Sequence, residues 1–161
     1  MAFRLFPGTG LLGFSGDNPW MPSPPSVRPI HKEDADTLAL LAEDFERYLD
    51  HLVDGRHKNS RMTKDVFLRD GFGETPSFHG LLLEEDGSPI GYLLYCFGYN
   101  TDLASRTVQV IDLYIKSEWL GKGFGRLLMR TLIPICKTAG VHAICTSVWN
   151  LNPSAKHFTR V

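Results

Sequence analysis

A glycine-rich segment between a predicted strand and a predicted helix carries the clearest chemical signal in this sequence of 161 residues. Residues 115–126 read Ile-Lys-Ser-Glu-Trp-Leu-Gly-Lys-Gly-Phe-Gly-Arg. Glycines at alternate positions allow a tight turn, and unpaired N–H groups at the start of a helix attract an anion. The segment therefore predicts a pyrophosphate site, where Lys122 and Arg126 either add positive charge or are simply solvated.

The spacing of these glycines excludes two common nucleotide-binding motifs. A P-loop requires Ser or Thr directly after Gly-Lys, whereas Gly123 follows Lys122 here. A Rossmann fingerprint belongs to the first strand of a parallel sheet and needs an acidic residue about 20 positions later. Three successive strand patterns joined by short turns precede the glycines, which is typical of an antiparallel meander instead.

Asp112 is the main candidate for acid–base chemistry. It interrupts the apolar strand pattern of residues 107–115, so it is either a buried, paired structural group or a functional carboxylate. His79 and His157 fit surface histidines better than catalytic ones. Four acidic residues share one face of a predicted helix, which is either solvated or attracts a cationic substrate. They are Glu43, Asp44, Glu46 and Asp50.

The order of predicted elements indicates an α/β protein with a mixed sheet. Apolar spacings of three and four predict a helix over residues 32–52, and Thr63 is expected to cap a second, short helix. Strands are predicted over residues 26–30, 78–85, 90–99, 107–115 and 141–149, the third with Tyr95, Phe97 and Tyr99 on one face as core or dimer packing. The glycine segment opens a helix that Gly140 ends. An antiparallel meander followed by a βαβ unit results.

The glycine segment resembles the acetyl-CoA-binding motif of the GNAT superfamily, Arg/Gln-x-x-Gly-x-Gly/Ala, with Gly123 and Gly125 at its two small positions. Within the superfamily the sequence is most similar to the spermidine/spermine (diamine) acetyltransferases and their thialysine-acetylating relatives. That likeness is carried by Asp70-Gly71-Phe72-Gly73-Glu74 with Pro76, Phe78 and His79, and by Trp149-Asn150 with Pro153-Ser154. The resemblance covers residues 27–161.

The resemblance implies the GNAT acyl-CoA N-acyltransferase fold, with a sheet splayed open between its fourth and fifth strands. Acetyl-CoA would lie in that opening as co-substrate, and a primary amine of a small molecule, polyamine or lysine-like, would attack its thioester directly. The implied cofactor-binding residues are Leu113, Ile115, Leu120, Gly121, Lys122, Gly123, Phe124, Gly125, Arg126, Asn150 and Ser154. Asp112 and Tyr114 are the implied catalytic residues, and a homodimer is the implied assembly.

The sequence departs from this family pattern at four places. Leu120 replaces the usual Arg or Gln, and Ile111 stands where the diamine enzymes carry a Glu proposed as base. Phe158 replaces the Tyr that protonates the leaving thiolate, which leaves that step to solvent or Tyr114. The sequence ends at Val161, where relatives continue into a last strand. These departures keep open a degenerate GNAT domain that binds CoA or a partner without efficient turnover.

Composition sets the remaining expectations. A net charge of −1 and a pI of about 6.6 do not favour nucleic-acid or membrane binding. Three cysteines without a CxxC pair favour a reducing, cytoplasmic location and no metal site. Residues 1–26, rich in Pro and Gly, are predicted to be a flexible extension rather than a signal peptide, before a GNAT domain over residues 27–161 that apparently lacks the final strand.

Overall fold

A computed structural model of the chain describes residues 24–52 and 60–147. These residues contain a five-stranded sheet with the spatial order β1-β2-β3-β4-β5. The strands are β1 Ser26–Pro29, β2 His79–Glu85, β3 Ser88–Asn100, β4 Ser105–Ile115 and β5 Val141–Thr146. The first four pair antiparallel, and β5 pairs parallel to β4. The predicted α/β class, with a meander followed by a βαβ unit, is confirmed.

The helices lie on the two faces of this sheet. A 3-10 turn, Lys32–Asp34, precedes α1, Ala35–Leu52. The short helix α2, Lys64–Val66, continues into the π-helical turn Phe67–Gly71. The helix α3, Phe124–Thr138, connects β4 to β5. No helix in the described ranges is long and apolar enough to cross a membrane.

Local sequence signals explain where these helices begin and end. The Thr63 hydroxyl accepts a hydrogen bond from the Val66 amide at 3.4 Å, so Thr63 caps α2 as predicted. Gly140 follows α3 with a φ of 67°, a left-handed conformation that ends a helix easily when the residue is glycine. Pro29 lies in β1, an edge strand of the described sheet, where a missing N–H costs no ladder bond.

The core consists of two clusters, one on each face of the sheet. On one face α3 packs its Leu128 and Leu132 against strand residues that include Val108 and Val110. On the other face the buried side of α1 covers a cluster that includes Tyr92. Both faces of the central strands are therefore buried, which explains their nearly continuous apolar sequences.

The structure supports the core alternative for Tyr95 alone among Tyr95, Phe97 and Tyr99, the three residues predicted to share one face in core or dimer packing. Tyr95 is buried in the cluster beneath α3, whereas Phe97 and Tyr99 are exposed. These two residues lie on the part of β3 that pairs with the start of β4. The predicted alternation is right, since the rings of Tyr95 and Phe97 are in contact, and dimer packing of Phe97 and Tyr99 stays a prediction.

Candidate active site

A β-bulge in β4 determines which way the site residues point. In the β3–β4 ladder Leu94 pairs with Asp112, but the next β3 residue, Tyr95, pairs with Val110. Ile111 is therefore an extra residue in β4, and its side chain is 47% exposed. An extra residue of this kind bends the strand and re-aims the side chains that follow it.

The bulge turns Asp112 and Tyr114 toward α1. Before it, Val108 and Val110 belong to the cluster beneath α3. Without an extra residue, strict alternation would place Asp112 and Tyr114 on that same apolar face. With it, Tyr114 instead joins the cluster beneath α1, and Asp112 lies opposite Leu94 of that cluster. The two candidate catalytic residues consequently share one face of the sheet.

Asp112 is half-buried and makes no ion pair with a residue that the structure describes. Burial, followed by the negative charge of Glu46 on α1, raises the pKa of Asp112 from its ordinary value near 3.8 to about 6. A carboxylate of this kind is ionised at neutral pH but is a stronger base than an exposed one. It is therefore suited to accept a proton.

Tyr114 is also buried on the α1 face. Its ring centroid lies 5.4 Å from that of Phe45 and 6.0 Å from that of Tyr92. Burial, then the charges of Asp44 and Glu118, raise the pKa of Tyr114 to about 12, although Arg47 acts in the opposite direction. The phenol therefore keeps its proton at neutral pH and can act only as a donor or as an uncharged acceptor.

Beyond the bulge, the edge of β4 forms a gap in the sheet as far as the described residues extend. The β4–β5 ladder ends where Val110 pairs with Thr146, so residues 111–115 have no strand partner on that side within the described part of the chain. Unpaired main-chain groups along a strand edge can bind an extended ligand that carries amides. The predicted positions Leu113 and Ile115 lie on this edge, which is where the family resemblance places the opening between the fourth and fifth strands.

The glycine loop forms the start of α3. Gly121 and Gly123 have φ values of 76° and 85°, and a β-carbon placed on either would meet no described atom within 4 Å. The Leu127 amide donates to the Gly123 carbonyl at 3.1 Å, which begins the helical hydrogen bonds. The amides of residues 124–126 precede this bond, so they have no helical acceptor. This open, left-handed turn before three free amides fits a pyrophosphate.

Aromatic contacts hold the loop in place. The ring of Trp119 lies 5.9 Å from that of Phe124, which is buried. The Lys122 ammonium lies 4.0 Å above the Trp119 ring, a cation–π contact. Lys122 is thus not simply solvated, and its role at the pyrophosphate site stays a prediction. Arg126 is exposed on the first turn of α3, and Leu120 is 49% exposed.

Comparison with known proteins identifies the family. The profile of the acetyltransferase (GNAT) family matches residues 36–160, which is more than half of the chain. The chain belongs to the GNAT family. The resemblance inferred from Gly123 and Gly125 is confirmed.

Individual GNAT relatives agree with this assignment. The thialysine N-epsilon-acetyltransferase of Bos taurus is 30% identical over 103 residues, which cover 59% of this chain and 60% of that protein. The enzyme of the same name from Mus musculus is 27% identical over 140 residues, covering 80% of this chain and 77% of that protein. This chain therefore spans about 60% of the length of its bovine relative.

A solved structure supports the fold. A mutant of a Bacillus halodurans protein superposes with a TM-score of 0.72 and 22% sequence identity, covering 84% of this chain and 89% of that one. This superposition shows the same fold, and together with the family profile it confirms the predicted GNAT architecture.

The structure brings together some of the predicted GNAT site residues but not all. Asp112, Tyr114 and the glycine loop flank the gap beside β4, whereas His79 is exposed and contacts Tyr95 and Phe97. Asn150, Ser154, His157 and Phe158 lie outside the described residues. Among those described, no group of three His, Cys, Asp or Glu side chains is arranged to hold a metal.

Two features of the site were missed by sequence reasoning. Glu46 acts on Asp112 across the sheet–helix interface, although the sequence suggested only that it belongs to an acidic face. Tyr92 contributes a buried hydroxyl next to the same carboxylate. No local pattern pointed to Glu46 or Tyr92. The only local signal of the site was the spacing of two residues between Asp112 and Tyr114, which places both on one face of a strand.

Proposed function

We propose that this protein transfers an acetyl group from acetyl-CoA to a primary amine of a small molecule, polyamine or lysine-like, by direct attack of the amine on the thioester. One observation carries the proposal. The bulge at Ile111 places Asp112, a carboxylate with a pKa of about 6, on the α1 face of β4, the strand whose unpaired edge borders the gap and leads into a pyrophosphate-compatible helix start. A proton acceptor and a nucleotide-compatible loop then flank one opening of the sheet.

The chain offers a continuous set of groups for the co-substrate. Acetyl-CoA supplies the acetyl thioester. Main-chain amides of residues 120–126 would hold its pyrophosphate, since the described turn fits an anion without help from the Leu120 side chain. Main-chain groups of Leu113 and Ile115 would pair with the amides of its pantetheine arm. From the family resemblance, Asn150 and Ser154 would complete the contacts.

Asp112 would prepare the acceptor amine. An aliphatic amine is mostly an ammonium ion at neutral pH, and it must lose a proton before it can attack a carbonyl. The Asp112 carboxylate attracts that ammonium and accepts its proton. Glu46 adds a second negative charge on the facing helix, which favours amines over neutral acceptors. The names of the bovine and mouse relatives, which specify an acceptor with an ε-amino group, support the same class.

Tyr114 would protonate the leaving thiolate. Its pKa near 12 means that it carries its proton at the start of each turnover. The phenyl ring of Phe158 cannot donate a proton. The Tyr114 hydroxyl, on the same face of the sheet as Asp112, is a reasonable source instead. A tyrosine donor also recovers its proton from solvent readily between turnovers.

Thiol release provides the direct test. The full chain is incubated with acetyl-CoA and separately with thialysine, lysine, a diamine, a polyamine, an aminoglycoside and a lysine-containing peptide, while free CoA is quantified and binding is measured by calorimetry. We expect amine-dependent thiol release with one of the small amines. CoA binding without release from any acceptor would overturn the proposal and favour a binding domain, and acetylation of the peptide alone would overturn the substrate class.

We further propose a cytoplasmic homodimer. The three cysteines are free, and the exposed Cys145 would be prone to oxidation outside a reducing compartment. The dimer rests on the family resemblance. Light scattering at several protein concentrations tests it, and a monomer at all of them would contradict it.

A further inference from the structure

Tyr92 carries a buried hydroxyl group that no described residue satisfies. The side chain is 0% exposed, in the middle of β3 and beneath α1. Its hydroxyl oxygen has no hydrogen-bond partner among the residues that the structure describes. A buried, unpaired donor is costly, and a phenylalanine would fill the same space without that cost. The hydroxyl therefore requires an explanation beyond packing.

The sheet places this hydroxyl next to Asp112. Tyr92 pairs with Tyr114 and Leu94 pairs with Asp112, so Tyr92 and Asp112 are diagonal neighbours on one face of adjacent strands. Diagonal neighbours lie within reach of a long aromatic side chain. Among the charged and polar groups that act on the Tyr92 hydroxyl, Asp112 acts most strongly, ahead of Glu46 and Tyr114.

We propose that Tyr92 is a positioning residue for the amine-deprotonating carboxylate: its hydroxyl donates a hydrogen bond to Asp112 when Asp112 is ionised. The role of that carboxylate in amine deprotonation rests on the proposed function, but the hydrogen bond itself does not. Hydrogen bonds in an active site are often long in the free enzyme and tighten when substrate binds. Tyr92 would hold the carboxylate toward the gap and limit how far burial and Glu46 disfavour its ionised form.

Several other groups face the same carboxylate and must be considered with it. Glu46 approaches from α1 and disfavours ionisation of Asp112. Tyr114 follows on β4 itself, with Asp44 and Arg47 of α1 and Glu118 around its hydroxyl. Tyr92 differs from these groups because it is a buried hydrogen-bond donor without a partner in the described ranges. Its removal should therefore raise the pKa of Asp112, because a donor to a carboxylate favours the charged form.

The test is Tyr92→Phe, with Tyr95→Phe as a matched control. Tyr95 is a second buried tyrosine on β3, but it lies on the opposite face beneath α3. The Asp112 carboxyl is titrated by ¹³C NMR in the wild type and both variants. We expect its pKa to rise by about one pH unit in Tyr92→Phe and to remain unchanged in Tyr95→Phe. An unchanged Asp112 titration in Tyr92→Phe overturns the inference.

A stability measurement gives a second readout that does not need activity. By linkage, a higher folded-state pKa of Asp112 lowers stability at high pH, so Tyr92→Phe should destabilise more at pH 8 than at pH 4.5 in urea unfolding. If the unpaired Tyr92 hydroxyl had a purely structural role, Tyr92→Phe would instead stabilise the protein equally at both pH values. If Tyr92→Phe does not fold, Asp112→Ala, which removes the acceptor, tests the bond from its other side. Exchange of the Tyr92 hydroxyl proton should become faster in that variant, and unchanged exchange refutes the bond.

Enzyme kinetics then separate this inference from the proposed function. If the wild type acetylates an amine, the acidic limb of its pH–rate profile should move up by about one unit in Tyr92→Phe, while the KM for acetyl-CoA stays constant. If the wild type acetylates no amine but the titration shift is present, the proposed function fails and the Tyr92–Asp112 bond stands.

Discussion

At the level of the single residue, the burial of Asp112 has two opposing consequences, one for catalysis and one for stability. Burial makes its carboxylate a stronger base, which suits proton abstraction, but burial also makes the ionised form costly in the folded state. Its folded-state pKa of about 6 lies above its ordinary value of 3.8. The group therefore stabilises the fold at low pH, and that contribution is lost as the pH rises from about 4 to about 6.

Replacing Asp112 by Asn should consequently raise stability while it lowers activity. At pH 8 we expect a gain of about 2 kcal/mol in the free energy of unfolding, because the buried charge is removed. The kcat for amine acetylation should fall by about 10²–10⁴-fold. Urea unfolding and steady-state kinetics measure the two effects. Asp102→Asn, an exposed residue in the β3–β4 turn, serves as control, and equal activity of both variants would exclude Asp112 as the base.

The pH dependence of the wild type follows from the same group. Below about pH 6 Asp112 holds a proton and cannot accept another, so kcat/KM should fall about tenfold for each further pH unit. At higher pH the rate should level off. A profile measured between pH 5 and 9 checks this. A rate that is constant from pH 5 to 7 would show that a different group, or solvent, accepts the proton.

Ile111 offers a gain-of-function experiment. The diamine enzymes that the sequence resembles carry a glutamate at this position, and here the side chain is 47% exposed at the bulge. Ile111→Glu should change stability by less than about 0.5 kcal/mol, as is usual at exposed sites. It should raise kcat/KM with a polyamine, since the new carboxylate adds a second proton acceptor at the gap. Leu103→Glu, exposed in the β3–β4 turn, controls for added negative charge, and an equal gain there would contradict a local effect.

The sequence alone identified Asp112 as a candidate but could not describe its surroundings. Its place in an apolar strand indicated a special role, because an isolated carboxylate there requires a reason. Whether Asp112 is paired depends on side chains from β3 and α1 that are 20 and 66 positions away in sequence, Tyr92 and Glu46. Such contacts are set by tertiary packing, which local patterns do not encode.

Among the elements, the turn into α3 matters most for the co-substrate. Gly123 begins the helix with a φ of 85°, and Gly87 in the β2–β3 turn has a comparable φ of 72°. Neither would place a new β-carbon within 4 Å of a described atom. The two glycines therefore carry similar backbone strain on substitution, but only Gly123 adjoins the free amides of α3.

This pair permits a controlled experiment. Gly123→Ala and Gly87→Ala should each lose about 1–2 kcal/mol of stability, the usual cost of a left-handed alanine. Only Gly123→Ala should weaken CoA binding, by about tenfold or more, because the new methyl group and the altered turn disturb the amides that face the pyrophosphate. Calorimetry with CoA measures the difference. Equal affinities of the two variants would contradict the proposed phosphate site.

The elements themselves were well predicted, and the exceptions have physical causes. The apolar spacing gave the helix over residues 32–52, of which the first residues form a 3-10 turn. Strand limits differed by a few residues because hairpin ends are set by pairing and not by composition. The bulge at Ile111 left no signal, since isoleucine is an ordinary strand residue and the extra position exists only relative to β3.

At the scale of the whole molecule, the arrangement of two helices on opposite faces explains why the site combines two kinds of chemistry. The helix α3 contributes free amides for an anion at its start, and α1 contributes acidic residues over the opposite face of β4. The strand β4 adjoins both, because its edge beyond Val110 has no strand partner among the described residues. The order of elements predicted this architecture, because a meander followed by a βαβ unit leaves few alternatives once β5 is parallel to β4.

The acidic surface of α1 is neither fully solvated nor purely a substrate attractant. Arg47 approaches Asp44 at 2.9 Å and Glu43 at 3.8 Å, so part of the negative charge on this helix is already compensated. Exposed pairs of this kind contribute little to stability. The pairing instead limits the negative potential that a cationic acceptor meets as it approaches Asp112.

Arg47→Gln should therefore improve the capture of multiply charged amines. At low ionic strength we expect the KM for a diamine or polyamine to fall a few-fold, with little change for a monoamine, because each additional ammonium gains from the uncompensated carboxylates. The improvement in KM should fade as the salt concentration rises above about 0.1 M, where the Debye length is roughly 10 Å.

Arg130→Gln is the matched control, because it removes the same charge from an exposed position on α3, behind the other face of the sheet. A KM that falls equally in both variants would indicate only a change in net charge. A KM unchanged in both would show that Glu43 and Asp44 belong to a solvated surface that does not attract the amine.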